Sequence, residues 1–515
     1  MKRTRMTDLR DKQDTYAILK QQILRYEPAL WLFFVLLPLA CVWSFEYLPS
    51  QDSFAHLYTV RLLDWYLFSP GQFSDIFVSA IQPVPNWVSQ IFLLITGKLM
   101  GLDLAYRLLL TGNMVLLPLV LSWNLMKEGE WLKSWLIFPL ILNHPLFFGF
   151  YNYVLGIIVF LALCGLLVRA PDKPAGLSWL YFSCLCLLCY FCHPIAAGLS
   201  FFAVLVRFRK SLLSMWLPIM LTLAPLSLML LWYVAQSSVT KMFWQDHVLT
   251  LSQILLFASL FPFSRNLEPS VIFWVPSLLI IFLAGLTQIK AGINEYTKFF
   301  LILCGFSIIL CFAMPDQIAS GSIIQYRLTI LPWLFICLAL KTKHKLLLIA
   351  LASLSLWVYA AQNLSFYQTC CITQPVYKEF HEAMSLPPEN SIVLNLNEDF
   401  FGKSQNGKTM GGRVGVFEHA HSVCALAEKR LVLLNHYQAN TKAFPFVFAD
   451  VVPLSKFRSR PELLSAWESD KGIQIDYLII HGVKKDILPP DWQKLFKPDP
   501  GWIAGKWISV WTRKK

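Results

Sequence analysis

Charge is what this chain has least of. Asp, Glu, Lys and Arg make up 15% of its 515 residues, against roughly 25% in soluble globular proteins. Hydrophobic residues reach 56% and the mean hydropathy is +0.53, which excludes an ordinary soluble domain and implies a chain that crosses a membrane many times. No internal repeat of fixed period is visible, so repeat solenoids are excluded and a transporter built from repeated halves is disfavoured. A Gly-rich phosphate loop is also missing. The run Gly411-Gly412-Arg413-Val414-Gly415 lacks the spacing of the dinucleotide fingerprint and reads as a turn.

Metal-site cysteine spacing is absent too. Most of the 12 cysteines sit in apolar runs, where a thiol behaves as a small hydrophobe. Cys186, Cys189 and Cys192 have CxxC spacing, but no second Cys/His pair accompanies them at zinc-site spacing, which favours packing. Cys370, Cys371 and Cys424 fall outside the apolar runs and would allow one disulfide.

The excess of basic over acidic residues, a formal charge of +13, could signal nucleic acid in a soluble chain. Here it is read as topology, because Lys and Arg collect on cytoplasmic loops, and no nucleic-acid partner is expected. Lys2, Arg3, Arg5, Arg10, Lys12, Lys20 and Arg25 precede a first apolar run at Leu30–Leu48 that no small-residue cleavage site follows. That pattern predicts an uncleaved anchor with a cytoplasmic N-terminus.

Pro49 to Gly101 is then an outer loop. Within it, Asn86–Met100 tempts a spanning assignment. If it spanned, the clusters Lys127/Lys133, Arg169/Lys173 and Arg207/Arg209/Lys210 would all fall outside; laid along the interface, it lets all of them fall inside. The remaining predicted spans are Asp103–Met126, Lys133–His144, Asn152–Val168, Ser178–Phe191, Pro194–Val206, Leu212–Ala235, Val271–Ile289, Phe299–Met314, Leu328–Leu340 and Leu346–Ala361. The expected fold class is therefore a polytopic α-helical membrane protein of about 11 transmembrane helices, with interfacial helices in the first outer loop and a small C-terminal extracytoplasmic α/β domain. Its parts are a basic cytoplasmic segment over 1–29, a transmembrane domain over 30–362 and an α/β domain over 363–515. Ser391–Leu396, Arg430–Leu434 and Tyr477–Ile480 are strand-like runs in the last part.

With this topology one face of the membrane gathers the polar residues. Asp52 and His56 come from the first loop, Asn143, His144 and Asn152 flank the third and fourth spans, and His193 lies between the fifth and sixth. Lys241, Arg265 and Arg327 come from later loops. Polar groups at membrane depth are costly unless paired, cavity-facing or functional. Each also has a structural reading. Asp52 stands where a helix N-cap would be, His193 precedes Pro194 and would end a helix, and the three cations could snorkel to the interface. The chemistry expected of the set is a carboxylate that accepts a proton and cations that stabilise a phosphate leaving group. An alternative use of His56, His144, His193 and Asp52 is a divalent metal ion. In the C-terminal domain, Gly415–His421 and Asn435–Asn440 are the most polar and aromatic stretches. His419 and His421 could bind a metal or cover the cavity, or be satisfied structural residues.

The opening motif Asp52-Ser53-Phe54-Ala55-His56-Leu57-Tyr58, the Pro83-Val84-Pro85-Asn86-Trp87 run before an interfacial helix, the many spans and the outer C-terminal domain together resemble the GT-C superfamily of polyprenyl-phosphate-dependent glycosyltransferases. Protein O-mannosyltransferases and lipid A aminoarabinose transferases belong to that superfamily. Asn143-His144-Pro145, Gly149-Phe150-Tyr151-Asn152 and Tyr190-Phe191-Cys192-His193-Pro194 are similar to segments of uncharacterised bacterial membrane proteins grouped with it. The resemblance implies a catalytic Asp in the first outer loop, matched here by Asp52, whose neighbour is Ser53 rather than the Glu of an Asp-Glu pair. It implies a polyprenyl-phosphate-linked sugar as donor, a glycan, lipid or protein as acceptor, transfer with inversion, and a place in the bacterial cytoplasmic membrane. Two other readings use the same residues: a transporter or flippase of a lipid-linked or anionic solute, and a non-catalytic membrane assembly factor.

Overall fold

The structure is a computed structural model. It describes residues 27–69, 76–79, 81–126, 131–236, 242–263, 293–318, 322–340, 345–403, 409–427, 429–440, 444, 446–449, 463–482, 488, 490–502 and 505–514. The first apolar run forms two helices, α1 (Glu27–Leu36) and α2 (Leu39–Ser44), broken at Pro38, whose ring cannot donate to the helix ladder. The first loop then supplies α3 (Ser53–Phe68), the short strand β1 (Phe77–Ser79) and α4 (Val88–Met100), so the stretch expected to lie along the interface is a separate helix of 13 residues.

The apolar runs that follow fold as α5 (Leu102–Met126), α6 (His144–Phe147), α7 (Tyr151–Arg169), α8 (Gly176–Cys192), α9 (Pro194–Phe208) and α10 (Trp216–Gln236). Beyond them lie β2 (Met242–Phe243), α11 (His247–Leu255), α12 (Glu295–Ala313), β3 (Gln317–Ile318), α13 (Ile324–Leu328), α14 (Ile330–Ala339) and α15 (Lys345–Ser385). Five of these, α5, α7, α10, α12 and α15, are long and apolar enough to cross a membrane. The described residues are thus mostly helical, with five helices compatible with an integral membrane protein. The span expected over Val271–Ile289 lies outside the described residues. The one expected over Lys133–His144 is a 3-10 run at Trp131–Leu140 followed by α6. Ten residues at about 2 Å rise cover only about 20 Å, short of a bilayer core of roughly 30 Å. The run is instead buried from Lys133 to Leu140 and packs against α5, α14 and α15.

At 41 residues, α15 is the longest helix among the described residues. At 1.5 Å per residue it spans about 60 Å, twice the hydrocarbon thickness, so it must leave any bilayer it enters. Position 362/363 lies inside it. Its C-terminal half leads into a five-stranded sheet made of β4 (Ile392–Asn397), β5 (Val432–Leu433), β7 (Tyr477–His481), β8 (Phe496–Pro498) and β9 (Ile508–Arg513) in the order β5-β4-β7-β9-β8. The three strands expected from sequence are the parallel part, β5-β4-β7, and β9 and β8 add antiparallel to one edge. A further strand, β6 (Phe446–Phe448), leaves the sheet and pairs with β1 of the first loop.

The first loop and the C-terminal part are therefore built into each other. α3 is buried on nearly every side, including every residue from Ser53 to Val60. It lies between α4 and the 3-10 turn Ala420–Ala425. Tyr58 Oη donates to the Leu431 carbonyl at 2.6 Å and accepts from the Leu433 amide at 3.1 Å, and Arg61 Nε donates to the Ala425 carbonyl at 2.9 Å.

Candidate active site

Asp52 stands at the N-terminus of α3, where sequence allowed a capping role, but its side chain makes no capping hydrogen bond. Its backbone is held from the other side. The amides of Gln51 and Asp52 donate to the Phe147 and Phe148 carbonyls at 3.0 and 3.2 Å, fastening it to the turn after α6. That turn needs Gly149, which has φ +85; a Cβ there would meet Asp52 Cβ at 3.0 Å and the Ser53 amide nitrogen at 3.1 Å. Freed from capping, the Asp52 carboxyl faces the C-terminal part. Tyr437 Oη donates to Asp52 Oδ2 at 2.9 Å, and His419 Nε2 lies 3.6 Å from Oδ1 and 4.0 Å from Glu418 Oε1. The His419 ring stacks on the Tyr437 ring, with centroids 4.5 Å apart.

The Asp52 side chain is 7% exposed. Burial pushes its pKa up to about 8, the neighbouring negative charge of Glu418 adds to the rise, and the Tyr437 hydrogen bond and the Arg327 cation oppose it. A carboxyl poised near neutrality, rather than near 4, is suited to exchanging protons under physiological conditions.

His56 is buried one turn along α3. Its Nδ1 meets the side-chain amides of Gln90 at 2.8 Å and Gln438 at 3.1 Å, and it makes a further hydrogen bond with the Gly149 backbone. Burial holds it neutral, with a pKa near 4. It ties α3, α4 and the C-terminal segment together and fixes the helix that carries Asp52. Asn143 and Asn152 are fully engaged. Asn143 caps α6 by accepting from the Leu146 amide at 2.9 Å and donates to the Leu140 carbonyl at 2.8 Å. Asn152 accepts from the Ser89 amide at 2.7 Å and donates to the Asn86 carbonyl at 2.8 Å, clasping α4 to α7.

His193 joins α8 to α9, as expected for a residue before proline, and caps α9 by accepting from the Ile195 amide at 3.2 Å. Its Nε2 faces Arg327 Nη1 at 3.2 Å. Arg327, on α13, lies 3.7 Å over the Phe150 ring; its Nε has no hydrogen-bond partner, and among the described residues no carboxylate is within ion-pair distance. His144 is fully buried, stacked on Phe148 at 4.7 Å, with neither ring nitrogen hydrogen-bonded. Lys241 and Arg265 lie outside the described residues.

The structure thus brings Asp52 into electrostatic reach of Arg327 and leaves His56, His144 and His193 with separate partners. Among the described residues, no three His, Cys, Asp or Glu side chains converge as metal ligands would. His193, facing a guanidinium, and His56, occupied by two amides, do not fit the suggested metal set. From the sequence, His419 was a candidate to cover the cavity or bind a metal, whereas Glu418 and Tyr437 stood in the two polar-aromatic stretches with no role in the site. The signal available was their density of His and Tyr in an otherwise ordinary α/β segment. No family model matches the chain, and no curated protein is similar to it.

Proposed function

We propose that the protein is a membrane glycosyltransferase of the GT-C kind, moving a sugar from a polyprenyl-phosphate donor to an acceptor hydroxyl with Asp52 as general base. The observation that carries this reading is the buried Asp52 carboxyl, excluded from capping, held by Tyr437 and His419 and poised near neutral pH. In the ionised form it takes the acceptor O–H proton while the oxygen attacks the anomeric carbon. The bond from that carbon to the phosphate oxygen breaks on the opposite face, and the polyprenyl phosphate departs already charged, so no general acid is needed. Arg327, whose Nε has no hydrogen-bond partner and which has no carboxylate within ion-pair distance among the described residues, is suited to the departing phosphate. In this reading the N-terminus is cytoplasmic, about 11 spans are completed by the shorter apolar helices, and Asp52 and the C-terminal sheet lie on the outer side of a bacterial cytoplasmic membrane.

The test uses the full chain in lipid nanodiscs with a panel of polyprenyl-phosphate sugars, reading release of polyprenyl phosphate. Asp52→Asn is expected to lower release by about 100-fold or more, the scale of general-base loss. Release at the wild-type rate by a folded Asp52→Asn protein would return the chain to the non-catalytic reading.

A further inference from the structure

We infer that Glu418, His419 and Tyr437, from the C-terminal segment, are positioning residues that orient the Asp52 carboxyl and set the pH at which it ionises. The geometry is asymmetric and specific. Tyr437 donates to one carboxylate oxygen at 2.9 Å, while His419 Nε2 approaches the other at 3.6 Å. The two rings stack on each other, so neither side chain can swing away without disturbing its neighbour. Gln438 Nε2 donates to Tyr437 Oη at 3.2 Å, which leaves the phenol proton for Asp52. Glu418 stands beside His419 at 4.0 Å, with its side chain 34% exposed, and brings a negative charge to the edge of the site. The first loop carries Ser53 immediately after Asp52. The second carboxylate near Asp52 therefore comes from more than 360 residues away in sequence, delivered by the fold of the C-terminal segment onto α3.

Among the described residues, the other titratable and charged groups in electrostatic reach of Asp52 are Arg327 of α13 and Tyr151 of α7, and His56, one turn along α3, meets it through a backbone hydrogen bond. None of these lies on the C-terminal segment. The three inferred residues therefore form a separable control. Tyr437 favours the ionised carboxylate by donating a hydrogen bond to it, Glu418 disfavours it by charge, and His419 backs Tyr437 through the ring stack and stands 3.6 Å from the second carboxylate oxygen. As an account of catalysis this rests on Asp52 being the base; as an account of how Asp52 titrates it stands independently.

The experiment follows the Asp52 carboxyl directly. An infrared pH titration of the full protein in nanodiscs identifies its protonated C=O band as the one lost in Asp52→Asn. Glu418→Gln is expected to move the midpoint down by about half a pH unit or more, as loss of a nearby like charge requires. Tyr437→Phe is expected to move it up by about one unit, the scale of one hydrogen bond to a charged group. Glu418→Asp, which keeps the charge, should stay close to wild type. A midpoint unmoved in both Glu418→Gln and Tyr437→Phe, or moved the same way in both, overturns the inference. Release of polyprenyl phosphate measured on the same variants separates the two claims. Opposite infrared shifts together with full release by Asp52→Asn would leave the inference standing and remove the glycosyltransferase reading. Release that depends on Asp52 while the midpoints stay fixed would do the reverse.

Discussion

The turn from α6 to α7 and the corner around Asp52 touch at Gly149, yet they use buried polar groups in opposite ways. In the turn, Asn143 and Asn152 each give and accept a hydrogen bond with backbone atoms, and none of these bonds involves a charge. At the corner, a carboxyl and a guanidinium are held in place but not against each other, and the carboxyl keeps its proton close to neutral pH. Neutral groups satisfied by backbone hold a fold together. Charged groups kept apart in a poorly solvated place retain free energy that a substrate can use.

Substitutions separate the two regions. The largest stability effect expected is from Asn152→Leu, which strands the Ser89 amide and the Asn86 carbonyl and should cost about 3 kcal/mol in thermal unfolding of the detergent-solubilised protein. If Asn152→Leu is silent, the turn does not carry the structural load assigned to it. At the corner the opposite sign is expected. The folded Asp52 pKa, about 8, lies above its ordinary value of 3.8. Its contribution to stability is therefore fully present below about pH 4 and is lost as pH rises toward 8, because the unfolded carboxyl releases its proton first. Asp52→Asn should unfold at a higher temperature than wild type at pH 8 and match it at pH 4. An equal difference at the two pH values would show that Asp52 titrates normally. The smallest effect expected is from Asn143→Ala, a lost helix cap costing about 1 kcal/mol by the same measurement.

The helices were largely legible. Apolar runs bounded by Pro, Gly or basic residues give α5, α7, α8, α9, α10 and α12 to within a few residues, because a long apolar run in this composition has few other folds. The 3-10 run at Trp131–Leu140 was not, since periodicity does not separate a short span from a buried segment, and neighbouring helices decide which it is. The parallel core of the sheet was visible in three β-branched and Leu-rich runs, but its antiparallel edge and the β1–β6 pairing were not. Pairing between residues more than 350 positions apart leaves no local pattern.

The site divides the same way. Sequence alone determined that Asp52, in a polar loop after the first apolar run, was the carboxylate to watch, and that His193 would sit at a helix boundary. Tertiary structure decided that Asn143, Asn152 and His56 are consumed by structural hydrogen bonds and that Asp52 escapes capping. It also decided that Glu418, His419 and Tyr437 complete the surroundings of Asp52. The physical reason is that a side chain's hydrogen bonds, burial and proton affinity depend on every group packed around it. For Asp52, the groups that matter most come from the far end of the chain.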